Sequence, residues 1–150
     1  MTELKNYAKN VVLSLIATVL FGCSPSNHKE KKPDERTVEL YNSITREDKF
    51  GSYLTTIDDM QYQVLAREND GIKSLEIDIH SHGRLNIHFV DTNLDGMIDG
   101  NPIPKLINDK KTYNGSTKTY DFLPSDDEEE TNRKYSEAVK KVLSSIKSKK

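Results

Sequence analysis

A single cysteine, Cys23, stands in this chain of 150 residues, so no disulfide can form within the molecule and a clustered thiolate metal site is excluded. Excess charge is lacking too. The 22 Lys and Arg set against 24 Asp and Glu leave a net charge of −2, and no basic patch stands out, so nucleic acid is not an expected partner. No apolar run reaches the roughly 20 residues of a membrane-crossing helix, and no repeat of solenoid length is visible. Catalytic signatures are equally sparse: there is no GxSxG nucleophile elbow, and no two histidines have four-residue helical spacing.

What is there begins with a segment of separate composition. Lys5 and Lys9 precede the apolar run VVLSLIATVLF, Val11 to Phe21, which ends at Gly22 and Cys23. Its length is that of the apolar centre of an export signal. The stretch Leu20-Phe21-Gly22-Cys23 resembles the lipobox of bacterial lipoproteins, over the first 24 residues only. That resemblance implies a signal peptide at 1–22, cleavage before Cys23, and a covalent lipid on the Cys23 sulfur. It accounts for the lone thiol, and several acyl chains at about 0.8 kcal/mol per buried CH₂ would hold the protein at a membrane. By the same analogy Ser24 directs the protein to the periplasmic face of the outer membrane in a Gram-negative cell, and otherwise it sits on the outer face of the plasma membrane. Residues 23–34, SPSNHKEKKPD after the cysteine, have no sizeable apolar side chain and carry two prolines, so they read as a flexible tether. Fully extended, they reach at most about 40 Å.

Residues 35–150 suffice for one domain with one core. Without Lys5, Lys9 and Glu3 the net charge is about −3. Met60, Tyr62, Val64 and Ala66 alternate with mostly polar residues, as do Leu75, Ile77 and Ile79, then Leu85, Ile87 and Phe89. Period two over three runs predicts three half-buried strands. A four-residue loop Glu68-Asn69-Asp70-Gly71 pairs Tyr62 with Ile77 and Val64 with Leu75. A three-residue loop Ser81-His82-Gly83 pairs Ile79 with Leu85, Ile77 with Ile87 and Leu75 with Phe89, whereas a two-residue loop would oppose His80 to Leu85 and mix the faces. A fourth and a fifth strand, Lys110 to Tyr113 and Ser116 to Phe122, are expected to flank an Asn114-Gly115 turn.

The chain ends in a helix. Ser125 and Glu128 form a capping box, the acidic run Asp126 to Glu130 suits the positive end of the dipole, and the lysines from Lys140 on suit the negative end. Tyr135, Ala138, Val139, Val142, Leu143 and Ile146 form one apolar stripe that should cover the sheet. Pro33 to Ile44 fits either a second helix with Leu40, Tyr41 and Ile44 inward or a strand. The expected fold is therefore α+β: an antiparallel meander of about five strands covered by a C-terminal amphipathic helix.

The stretch VDTNLDGMIDG, 90–100, carries the most specific spacing. Counting from Asp91, the pattern DxNxDGxxD offers side-chain oxygens at Asp91, Asn93, Asp95 and Asp99 and the Met97 carbonyl at position 7, with Gly96 at the sharp turn. It resembles EF-hand-like calcium loops. Position 12 is Pro102 and the preceding element is a strand, so the likeness is closer to the DxDxDG loops that join strands in some extracellular proteins. With three carboxylates, the implied calcium affinity is weak, about 10⁻⁴ to 10⁻³ M. The alternative is an ordinary Asp-Gly turn with the other acids solvated.

His80, His82 and His88 lie close in sequence, and the expected pairing sets Glu76 opposite His88. They read as exposed strand and turn residues more readily than as zinc ligands. Two functions follow: a membrane-anchored binding or structural module, with an envelope protein as its partner and one weak calcium loop, or an envelope enzyme or enzyme inhibitor with a site around His80 and His88.

Overall fold

The computed structural model describes residues 31–112 and 115–149. Helix α1 (Glu35–Glu47) is followed by β1 (Ser52–Ile57), β2 (Met60–Asn69), β3 (Ile72–Ser81), β4 (Arg84–Asp91), β5 (Ile103–Thr112), β6 (Gly115–Leu123) and helix α2 (Glu128–Ser148). Strands β1 to β4 form one antiparallel sheet in chain order, and β5 and β6 pair as a separate two-stranded sheet. The α+β class holds, with six strands in two sheets in place of about five in one meander.

Both helices cover the same face of the four-stranded sheet. Leu40, Ile44, Tyr135, Val139 and Val142 from the helices meet Val64, Leu75, Ile77 and Phe89 from the strands, all closed to water. The predicted α2 stripe is buried throughout. Residues 35–47 are helical, with Leu40, Tyr41 and Ile44 inward as the helical alternative required. The α1 cap is Asp34, whose carboxylate accepts from the Thr37 N–H at 3.0 Å. At α2 the cap is Asp127, accepting from the Glu130 N–H at 2.9 Å, and not Ser125; the Ser125 hydroxyl instead lies 2.6 Å from that of Thr131. No helix among the described residues is long and apolar enough to cross a membrane.

The sheet registers differ from expectation for one common reason. Each of the three connections is a two-residue turn with both residues at positive φ: Asp58 and Asp59, Asp70 and Gly71, His82 and Gly83. Tyr62 therefore pairs with Ile79, Val64 with Ile77 and Ala66 with Leu75, two places from the predicted partners. Moving by two preserves the faces. Between β3 and β4 the two-residue turn does oppose His80 to Leu85, and a bulge then leaves Asn86 unpaired, so that Ile79 meets Ile87 and Ile77 meets Phe89. The bulge restores the inward face that a plain two-residue turn would have lost.

Strand β1 has no counterpart in the sequence reading. Just before it, Gly51 adopts φ +65° and packs against β2 so closely that a Cβ would stand 2.1 Å from the Ala66 carbonyl oxygen. The last hairpin begins earlier than predicted, at Ile103, and Thr112 pairs with Gly115, which places Gly115 in the strand and not in the turn; Asn114 lies outside the described residues.

Candidate functional site

The loop after β4 closes on its first residue. Asp91 ends the strand on the covered face, and its side chain is fully buried. One carboxylate oxygen accepts from the Asn93 N–H at 3.3 Å and the Asp95 N–H at 3.2 Å; the other accepts from the Gly96 N–H at 3.0 Å and the Tyr135 hydroxyl at 3.1 Å. A buried carboxylate demands such donors. Burial nevertheless pushes the Asp91 carboxyl above its ordinary range, against the lowering effect of these bonds, and the nearby Asp95 charge adds to the rise. The Tyr135 phenol is pushed well above its usual range, chiefly by burial and then by the Asp91 charge.

The remaining loop acids serve the loop itself. Asp95 accepts from the Met97 N–H at 2.9 Å and from the Asn93 side-chain amide at 3.2 Å, while the Asn93 amide oxygen accepts from the Asp95 N–H at 3.0 Å. Asp99 turns to Thr92, accepting from its N–H at 2.8 Å and its hydroxyl at 2.7 Å. The Asp99 N–H donates to the Val90 carbonyl, and the Pro102 carbonyl accepts from the His88 N–H, so the segment 99–102 runs along the edge of β4.

Three further contacts tie the loop to its surroundings. The Ile98 N–H donates to the Asn132 side chain on α2 at 3.0 Å. The Leu94 carbonyl accepts from the Asp34 N–H at 2.7 Å, where the chain enters α1, and the Leu94 side chain is buried at a strained φ of +60°. Gly96, at φ +82°, lies so near Asp34 that a Cβ would be 2.8 Å from the Asp34 Cβ. Asp34, read from composition as the end of the tether, is thus held by this loop.

All five predicted ligand positions, Asp91, Asn93, Asp95, Met97 and Asp99, fall in this one loop, yet the side chains of Asp91, Asn93, Asp95 and Asp99 are engaged with N–H and O–H donors. Among the described residues no three His, Cys, Asp or Glu side chains gather as a metal ion would require. The donor types suit calcium, which takes oxygen ligands. Both Asp91 oxygens already carry two hydrogen bonds each, so an ion would draw on Asp95, Asp99, Asn93 and the Met97 carbonyl or displace a bond at Asp91. Tyr135 and Asp34 were missed as loop partners, although a tyrosine on a buried helix stripe signals a hydroxyl in need of an acceptor.

On the opposite face of the sheet the histidine expectation is corrected. Val90, not His88, lies opposite Glu76; His88 stands opposite Asp78, with Nδ1 2.6 Å from its carboxylate oxygen. The Phe122 ring of β6 lies over the imidazole at 4.7 Å between centroids. Asp78 holds the imidazole above its usual pKa, against the effect of burial, with a further contribution from the Glu76 charge. His80 follows on the same face of β3, its Nε2 closed to water and without a hydrogen-bond partner. Cys23, the expected signal segment 1–22 and the expected tether as far as residue 30 lie outside the described residues.

Fold and loop together define an α+β domain with a carboxylate-closed loop at the junction of both helices and the sheet. No known protein family, no curated protein and no solved structure matches the chain.

Proposed function

We propose that this protein is exported and anchored to a cell-envelope membrane by a lipid on Cys23, and that its folded domain is a non-enzymatic binding or structural module whose 91–99 loop takes up one calcium ion weakly. The anchor is supported by the apolar run ending in Leu20-Phe21-Gly22-Cys23 and by the absence of any second cysteine in the chain. The module reading is carried by one observation: the buried Asp91 carboxylate organises a loop that ties α2, through Tyr135 and Asn132, to the entry of α1 at Asp34. A cation among Asp95, Asp99, Asn93 and the Met97 carbonyl would offset the acidic charge gathered there and stiffen that junction. Because the Asp91 oxygens are already bonded, the affinity stays in the weak range of about 10⁻⁴ to 10⁻³ M, suited to calcium outside the cytoplasm.

Two measurements test the two halves. Cys23→Ser should release the protein from the membrane fraction; retention there removes the lipid anchor from the account. Calorimetric titration with calcium should give saturable heat that Asp95→Ala abolishes, and no heat up to about 10 mM would reduce the loop to a hydrogen-bonded turn. The His88–Asp78 pair favours a second reading, an envelope enzyme or enzyme inhibitor acting from that face. An activity lost in His88→Ala would move that reading ahead.

A further inference from the structure

The four-stranded sheet ends on one side at β1, and among the described residues no further strand pairs with its outer edge. The register shows which groups lie there. Asp58 and Asp59 form a two-residue turn closed by Ile57 and Met60, so that pair is hydrogen-bonded, and alternation along the antiparallel ladder turns the N–H and C=O groups of Tyr53 and Thr55 toward β2 as well. The bond from the Ala66 N–H to the Gly51 carbonyl, at 2.7 Å, falls in the same alternation. Ser52, Leu54 and Thr56 therefore aim their backbone groups away from the sheet. The Asp48 carboxylate takes the Ser52 N–H at 2.9 Å, so the donors left on the edge are the N–H groups of Leu54 and Thr56. Other edges are guarded: segment 99–102 borders β4, β5 carries Pro104, Lys105, Lys110 and Lys111 with an irregularity after Leu106, and β6 carries Lys118 and Asp121. Strand β1, SYLTTI, has no charge, no proline and no bulge. We propose that β1 pairs with β1 of a second copy of this chain, antiparallel about a two-fold axis at Leu54, joining the two four-stranded sheets edge to edge.

The edge is its own complement. Centred on Leu54, the pairing sets Leu54 opposite Leu54 and Thr56 opposite Ser52 of the other copy, so each Leu54 N–H donates to a Leu54 carbonyl and each Thr56 N–H to a Ser52 carbonyl across the axis. The one donor left out, the Ser52 N–H, is the one Asp48 already holds. On the face away from the helices the two Leu54 side chains, each 56% exposed in the single chain, meet and cover one another. At each end the acidic Asp58-Asp59 turn of one copy comes to the side where Lys49 and the 77% exposed Phe50 of the other stand. On the helix face a groove of about 530 Å³ beside the edge is lined by Ile57, Asp58, Lys140, Lys141, Ser144 and Ser148, and its serines leave room for the neighbouring α2. Lys141 and Lys147 are paired with Asp58 and Glu39 within the chain, which lowers the repulsion between the two basic helix ends. With no charge on β1 to select a foreign strand, the match of donors, acceptors and the exposed leucine favours a second copy. Six residues a side make a small contact, so the pairing is weak and depends on concentration.

The test is residue-resolved amide exchange on the full chain at about 5 µM and about 500 µM. The Leu54 and Thr56 amides should gain about threefold or more protection at the higher concentration, with Tyr53 and Thr55, which β2 holds in either state, as internal reference. Thr56→Pro removes an edge donor whose N–H faces outward, a place where a strand tolerates proline. It should abolish the gain at Leu54 and return the sedimentation coefficient at high concentration to that of the single chain. Leu54 and Thr56 amides that exchange as open groups at both concentrations overturn the proposal. If they are equally protected at both, Thr56→Pro must expose the Leu54 amide, and retained protection there refutes the pairing. Self-association that persists unchanged in Thr56→Pro also overturns it, since the contact then lies on another surface. Should Thr56→Pro fail to fold, Leu54→Lys, at a side chain facing water in the single chain, sets like charges face to face at the axis and is judged by the same criteria.

Discussion

The four-stranded sheet and the β5–β6 hairpin are both antiparallel ribbon, but they meet water differently. Val64, Leu75 and Ile77 are completely closed off beneath the helices, whereas Leu106 and Ile107 on the hairpin remain 49% and 59% exposed. Full burial of such a side chain contributes about 1.5–3 kcal/mol, so the sheet is held by its core and the hairpin is not. An isolated two-stranded ribbon is marginal in water. The hairpin is tied to the rest of the domain by the Asn101 amide on the Phe122 carbonyl, the His88–Phe122 contact and Lys118 at Gly83, while the sheet is locked at its far corner by the loop around Asp91. One domain thus contains a body closed by its core and a ribbon whose apolar side chains stay largely in water.

The comparison breaks most visibly at Asp91. Asp91→Ala would take from the N–H groups of Asn93 and Gly96 and the Tyr135 hydroxyl their Asp91 acceptor inside the protein, and would leave the Asp95 N–H only the Asn93 amide oxygen. We expect a loss of about 3–5 kcal/mol in urea unfolding followed by circular dichroism. A loss under about 1 kcal/mol would mean that the loop contributes no rigidity to the body.

Gly51→Ala should come next. The substitution forces an L side chain into φ +65° and drives its Cβ toward the backbone oxygen of Ala66, which cannot turn aside as a side chain could. The expected cost is about 2–4 kcal/mol by the same measurement. Because the Gly51 carbonyl also accepts from the Ala66 N–H at 2.7 Å, the damage should appear as lost exchange protection in β1 and β2, with the hairpin unchanged.

The same contrast explains how much could be read from the sequence. The inward faces of β2, β3, β4 and α2 were legible because burial on one side writes a period of 2 or 3.6 into the chain. Registers were not, since the pattern is indifferent to a slip of two residues: Val64 opposite Leu75 and Val64 opposite Ile77 satisfy it equally. That slip is also why Glu76 was expected beside His88, where Asp78 stands. Strand β1 went unseen because its inward residues include Thr55, whose hydroxyl is bonded to Ser145 at 2.8 Å, and because Asp58-Asp59 is a weaker turn signal than Asn-Gly. In the loop the spacing of acids was plain, but Tyr135, 44 positions away, became Asp91's partner only through the packing of α2.

The smallest effect is the most selective. Replacing Leu106 by Ser and Ile107 by Thr together should change the unfolding free energy of the domain by less than about 0.5 kcal/mol, since both side chains already face water and Ile107 stands at the irregularity between Leu106 and Asn108. Exchange across the hairpin should rise only slightly, because neither residue belongs to its base or to the His88 contact. A loss of 1–2 kcal/mol, roughly what a partly buried core position gives, would show that these side chains are covered in solution by something beyond the single chain. Repeating the measurement at tenfold dilution would then separate self-association from folding, because only a contact between copies weakens on dilution.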